Sequence, residues 1–265
     1  LLDNGANVVL FSRDTSKLAD IPAPVKLETV DYDDEKGILP LFKKHAVDVV
    51  ICVLAGDFKV LTQTQVGLAR AAKEAGVKLF VPNEFGTNTD DHPTGTLLGA
   101  KNDAAKAFVE VGIPTLRIST GAFTEFIPWI SSTPTRPGKF AIIGKGDTKF
   151  SFTAIPDITG YTAHVLTHYP LSALYNQHIL LEGQAATLRE VAETLGKEIA
   201  FVKPEEVENP FVRLLLEFGE KGWCRVGFQY SKPDTPKQLV DLRSGSGNLL
   251  WEGHKWKSIA DVHKA

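Results

Sequence analysis

Val-Lys-Leu-Phe-Val-Pro-Asn-Glu-Phe-Gly, residues 77 to 86, is the stretch on which the reading of the chain turns. A short apolar run stopped by Pro82 reads as a buried strand, and its end delivers a polar, glycine-containing loop. In open parallel α/β sheets, ligands bind outside such strand ends. Moving outward towards the C-terminus, Leu97 to Gly112 repeats with a helical period. Leu97, Leu98, Ala104, Ala105, Phe108, Val109 and Gly112 share one face, with Asn102, Asp103, Lys106 and Glu110 opposite. Lys101 falls in the middle of the apolar face. A lysine there either lies over a cavity or packs its stem on apolar surface and reaches for water. Its helix follows the strand-end loop directly, which adds weight to a functional role.

Working back from Val77, Gln63 to Ala75 reads as a helix stopped by Gly76, and Val47 to Leu54 as an uninterrupted apolar strand. That strand ends at Ala55-Gly56, where small residues let a backbone approach a ribose or an adenine. Before it come a helix from about Glu35 to His45 and a strand over Val25 to Val30. Leu1 to Gly5 reads as a last helical turn with a glycine stop, leading into a strand over Asn7 to Phe11. Strands alternating with helices at this spacing specify an α/β fold, a Rossmann-like doubly wound parallel sheet with right-handed crossovers. The expected division is an NAD(P)-binding domain over 1–120 and a smaller substrate-binding lobe over 121–265.

The end of the Asn7 to Phe11 strand carries Ser12, Arg13, Asp14, Thr15, Ser16 and Lys17. In a dinucleotide-binding unit, an acidic residue at this place holds the ribose of NAD, and a basic one accepts the 2′-phosphate of NADP. Arg13, with Lys17 close behind, points to NADP(H); a solvated loop arginine is the plain alternative. The glycine-rich turn that cradles the pyrophosphate is not in these residues and would lie upstream of Leu1. The chain begins Leu-Leu and contains no methionine, so a preceding segment is expected.

The 265 residues, 43% of them hydrophobic, suffice for a large core. A net charge of -3 leaves no basic footprint for nucleic acid, and neither an apolar run of membrane-spanning length nor a secretory signal is visible. Cys52 and Cys224 stand far apart in unlike contexts, which fits free thiols in a reducing cytoplasm better than a bridge.

Taken together, Arg13 at a strand end, the 77 to 86 motif, Lys101, Gly-Ile-Pro-Thr at 112 to 115 and Thr-Gly-Ala-Phe at 120 to 123 resemble the NmrA-like, isoflavone reductase-like branch of the atypical short-chain dehydrogenases. In that family a Pro-Ser-Glu-Phe-Gly motif closes the fifth strand, and the catalytic lysine sits eleven residues before Gly-Ile-Pro. Lys101 stands at that place relative to Gly112. Ile142-Ile143-Gly144-Lys145-Gly146 and the segment from Phe150 to Asp157 extend the likeness, which covers roughly residues 1 to 195. Three departures stand out: the missing glycine motif, Asn83 where serine is common, and Thr120-Gly121 in place of Ser-Asn.

The resemblance implies NADP(H) bound along the strand ends and hydride delivery to a small aromatic, phenylpropanoid-like substrate. It implies that Lys101 contacts the nicotinamide ribose or the substrate oxygen and moves a proton. Asn83, Phe85 and Phe123 would complete the cofactor site, the two rings flanking the nicotinamide. It also leaves two alternatives: an NADP-sensing regulator with a protein partner, and a truncated relative without cofactor binding. A homodimer is a further expectation.

The second half says less. Phe123, Phe126 and Trp129 suit either a pocket or a core. Lys139 to Ile143 and Lys149 to Thr153 read as a hairpin, Pro156-Asp157 opens a helix to about His168, and Thr187 with Glu190 forms a capping box. Phe211 to Phe218 reads as an amphipathic helix. His164 and His168 share a helix face but lack a third metal ligand in the sequence.

Overall fold

Apolar runs separated by glycine stops fold as alternating strands and helices in the computed structural model, which describes residues 1–54 and 57–263. In chain order come β1 (Val9–Ser12), β2 (Lys26–Thr29), α1 (Glu35–Lys44), β3 (Val49–Ile51), α2 (Gln65–Ala75), β4 (Leu79–Val81), α3 (Leu97–Val111) and β5 (Leu116–Ser119). There follow β6 (Ala122–Phe123), α4 (Ile127–Ile130), β7 (Phe140–Ile143), β8 (Lys149–Thr153), α5 (Ile155–His168), β9 (Gln177–Leu180) and β10 (Gln184–Thr187). The chain ends with α6 (Leu188–Thr194), β11 (Ile199–Val202), α7 (Pro210–Glu220), α8 (Lys237–Arg243) and α9 (Ile259–His263). Two units divide it: 1–84 with 91–117 and 162–178, and 85–90 with 118–161 and 179–265.

The first unit is the Rossmann-like part. β1 runs parallel to β2, with Val9 opposite Lys26, and β3 parallel to β4, with Val49 opposite Leu79. A parallel bridge between Phe80 and Thr115 carries β4 on to the residue just before β5. Covering helices seal these strands around Ile38, Phe42, Val66, Ala69, Phe80, Ala104 and Phe108. Each large side chain taken out of water there contributes roughly 1.5–3 kcal/mol.

α3 has the bounds the periodicity gives, because its ends are set locally. Thr96 caps the start by accepting from the Gly99 amide at 2.9 Å. Gly112 ends it in the left-handed region, φ 73°, where a side chain would be strained. The buried stripe differs from the expected face. Gly99, Ala100, Ala104 and Phe108 are buried, while Val109 is 77% exposed. The helix seats on its smallest side chains, and that rotation turns Val109 outward. The Phe108 ring meets Phe80 of β4 at 5.3 Å.

In the second unit β8 pairs antiparallel with β10 and parallel with β6, and β7 pairs parallel with β11. The expected hairpin is therefore overturned: both strands exist, but each pairs elsewhere. The connecting loop is pinned to α7 instead, since the Lys145 and Gly146 amides donate to the Glu220 carboxylate at 2.9 and 3.1 Å. Phe140, Phe150, Phe152, Val191 and Leu216 fill the core of this unit. The Thr187–Glu190 capping box forms as expected. Cys52 and Cys224 are free and buried, and burial pushes both thiols up. No helix among the described residues is long and apolar enough to cross a membrane.

Gly99 tests how α3 is seated. Alanine is the better helix former by about 1 kcal/mol, yet a Cβ at this position would lie 1.8 Å from the Pro93 carbonyl oxygen. Backbone cannot yield as a side-chain tip can, so Gly99→Ala is expected to destabilise the protein by roughly 1–3 kcal/mol. Chemical denaturation followed by circular dichroism measures this; a neutral or stabilising effect would mean that α3 does not sit this close.

Candidate functional site

At the end of β1 the backbone turns through a short 3-10 segment, Thr15–Lys17. Asp14 caps that segment, accepting from the Ser16 amide at 3.1 Å and the Ser16 hydroxyl at 2.5 Å. The Lys17 ammonium lies 3.2 Å away. Hydrogen bonds from Ser16, then Lys17, hold the Asp14 carboxyl below the usual carboxylate range. The acidic residue that would suit a ribose diol is thus engaged within its own turn. Beside it the exposed Arg13 guanidinium stands 5.8 Å from the centre of the Tyr32 ring. Tyr32 is tied back by its hydroxyl, which donates to the Phe11 carbonyl at 2.9 Å. Next to it Asp33 pairs with Lys59 and accepts from Thr64 at 2.6 Å.

A π-helical turn, Val60–Thr64, leads into α2. Such turns are rare and concentrate at functional sites. Gln65, 1% exposed, follows it, donating to the Leu61 carbonyl at 2.9 Å and accepting from the Asn83 amide at 3.2 Å. The Asn83 side chain donates in turn to the Leu54 carbonyl. Asn83 therefore ties the end of β3 to the end of β4. Ala55 and Gly56, expected beside the cofactor, lie outside the described residues.

Lys101 is placed by two periodicities. It stands seven residues before Phe108, two helical turns or about 10.5 Å back along the same side of α3. A strand advances about 3.3 Å per residue, so a residue two turns from the Phe108–Phe80 contact lies over the chain about three residues beyond Phe80. That is where Asn83 and Glu84 leave the strand. Lys101 keeps partial exposure as a residue. Its ammonium is nonetheless crowded enough that burial lowers its pKa, with Glu84 opposing the shift and Arg117 adding to it. Glu84 is 1% exposed, and the Arg117 Nε lies 3.5 Å from its carboxylate. His92, also buried, has its pKa lowered chiefly by desolvation.

The structure thus brings Asn83 and Lys101 to one strand-end region of the first unit, and puts Arg13 and Lys17 at the end of another strand of that unit. Phe85 and Phe123 belong to the second unit. There the Phe123 ring lies 5.4 Å from Phe126, Phe126 lies 6.2 Å from Trp129, and Trp129 stacks on Phe211 at 6.2 Å. The last three are 44–46% exposed, so this row is not core. Sequence reasoning missed Glu84, Gln65 and Arg117 as members of the site. A signal existed for Arg117: a guanidinium inside the apolar run Ile-Pro-Thr-Leu-Arg-Ile needs a buried counter-charge. His164 and His168 stack at 4.3 Å, but no group of three metal-binding side chains exists among the described residues.

The NmrA-like family model matches residues 1–206. The isoflavone reductase homolog IRL of Zea mays is 36% identical over 149 residues, covering 53% of this chain and 47% of that protein. The isoflavone reductase of Pisum sativum is 29% identical over 178 residues, covering 64% of this chain and 54% of its own. The chain therefore spans about half the length of these curated relatives. Among solved structures, the binary complex of leucoanthocyanidin reductase with NADPH from Vitis vinifera superposes with a TM-score of 0.74 at 16% identity, covering 99% of this chain and 92% of that one. That likeness shows the fold.

Lys101 itself yields a stability prediction. A folded-state pKa below the unfolded value means the unfolded chain binds the proton more tightly. Keeping this amine therefore costs stability at neutral pH, and the cost disappears as pH rises past the ordinary lysine value of about 10.4. Lys101→Met is expected to raise the melting temperature at pH 7 and to lose that advantage near pH 10.5. Thermal melts across pH check it; a lower melting temperature at pH 7 would show that the amine stabilises the fold.

Proposed function

The chain belongs to the NmrA-like family, and on that premise we propose that it is an NADPH-dependent reductase acting on a small aromatic, phenylpropanoid-like substrate. The observation that carries the reading is Lys101, a crowded amine placed beside the strand ends by the seating of α3. The names of the isoflavone reductase relatives support the substrate class.

The donor set suits the cofactor. Arg13 offers a guanidinium whose planar fork matches a phosphate, and the neighbouring carboxylate that would repel that phosphate is already engaged by Ser16 and Lys17. Lys17, 81% exposed at its side chain and paired with Asp14, would add positive charge beside that phosphate. Asn83 ties the β3 end to the β4 end, and Ala55 and Gly56 are assigned to the ribose from the sequence, as small residues following that strand. The bound cofactor supplies the hydride. Lys101 supplies the proton: an ammonium whose hold on it is loosened by burial is a better acid towards a substrate oxygen than an ordinary lysine. Phe85 and Phe123 are assigned to the nicotinamide on family resemblance alone. A cytoplasmic setting is supported by the two free, buried thiols.

Calorimetric titration is expected to show NADPH binding about tenfold or more tighter than NADH, with Arg13→Ala abolishing the difference, since a charge-assisted contact is worth roughly 1.5–3 kcal/mol. Lys101→Ala is expected to lower turnover by roughly 10²–10⁴-fold while leaving NADPH affinity in place. Equal affinity for the two cofactors would contradict the assignment of Arg13, and retained turnover would remove Lys101 from the chemistry. Tight NADPH binding without turnover on a broad aromatic panel would instead assign an NADP-sensing regulator, whose homodimer or protein partner light scattering would register.

A further inference from the structure

Glu84 and Arg117 have no role in the assignments above, yet they form the charged surroundings of Lys101. β4 and β5 are neighbours through the Phe80–Thr115 bridge, and the Phe80 amide donates to the Pro114 carbonyl at 2.9 Å. Arg117 lies two residues beyond Thr115 and Glu84 four beyond Phe80, so the pair stands at and just past the end of β4, close enough for their side chains to meet. That is the place over which the two-turn offset from Phe108 sets Lys101. The Glu84 carboxylate, 1% exposed, and the Arg117 guanidinium, 14% exposed, are 3.5 Å apart, far too sequestered to be a solvated surface pair.

We propose that Glu84 and Arg117 are positioning residues for Lys101, the guanidinium fixing the carboxylate and the carboxylate fixing where the ammonium rests. This rests on the reading of Lys101 as the proton donor. A cation and an anion at one buried site pull the amine in opposite senses: Glu84 favours its protonated form, and Arg117 disfavours it.

Other charged groups near α3 are occupied or distant. On the helix itself Asp103 accepts from Thr94 at 3.0 Å, and Lys106 is exposed. In the preceding loop Asp91 lies beside His92, whose burial favours its neutral form. The π-turn Val60–Thr64 carries no titratable side chain, and Lys59 ahead of it pairs with Asp33. Arg70, Lys73 and Glu74 of α2 line a surface cleft with Ala107, Glu110 and Val111, at the opposite end of α3. Lys78 of the β4 approach pairs with Asp48. Glu84 and Arg117 remain as the pair that sets the charge felt by the amine.

The test is competitive acetylation of Lys101 across pH, read residue by residue by mass spectrometry on the whole protein without cofactor or substrate. Glu84→Gln is expected to lower the labelling midpoint of Lys101 by roughly one unit or more, and Arg117→Gln to raise it. Opposite shifts support the pair; unchanged midpoints, or shifts in the same sense, overturn it. Should either variant fail to fold, Glu84→Asp decides. It keeps both charges and withdraws the carboxylate by one methylene, so a smaller fall in the midpoint is expected, and no change overturns the proposal. The labelling needs no catalysis. A reductase assignment that fails leaves these shifts in place, whereas a failed pair leaves the turnover loss of Lys101→Ala untouched.

Discussion

An ammonium held among protein atoms at the end of a sheet is the constraint on which the rest of the molecule depends. Desolvating a charge is costly, and a fold tolerates it only where a counter-charge is fixed nearby. Here the counter-charge is Glu84, on the loop leaving β4, itself held by Arg117 from β5. The helix that brings the amine there sits on the buried Gly99 and Ala100, and at Gly99 any side chain would meet the Pro93 backbone. Backbone contact, helix rotation and the charge on Lys101 are consequences of one packing choice.

The adenosine end follows the same logic with exposed groups. A turn that begins with Asp14 spends its carboxylate on capping and on Lys17. That leaves the Arg13 guanidinium as the outward-facing charge beside Tyr32. Within this turn the two cations Arg13 and Lys17 stand against the single carboxylate of Asp14, in a chain whose net charge is -3.

Much of this was legible in the sequence because its causes are local. The bounds of α3 come from Thr96 and Gly112, the stop of α2 from Gly76, and the capping box from Thr187 and Glu190. Features decided by distant partners were not legible. Val109 turns outward because the helix seats on its small residues, and β7 and β8 part because β11 and β10 pair with them and Glu220 captures the loop between. Glu84 stood in plain view within the quoted motif, but its partner lies thirty-three residues on, and only the adjacency of β4 and β5 joins them.

A crystal structure of the protein grown with NADP⁺ bears most directly on the central claim that the strand ends and Lys101 form one cofactor site. The expected result is the 2′-phosphate on Arg13 and the Lys101 amine within hydrogen-bonding reach of the nicotinamide ribose. A nucleotide bound away from these strand ends, or a Lys101 side chain turned into bulk water beside a bound nucleotide, would contradict it.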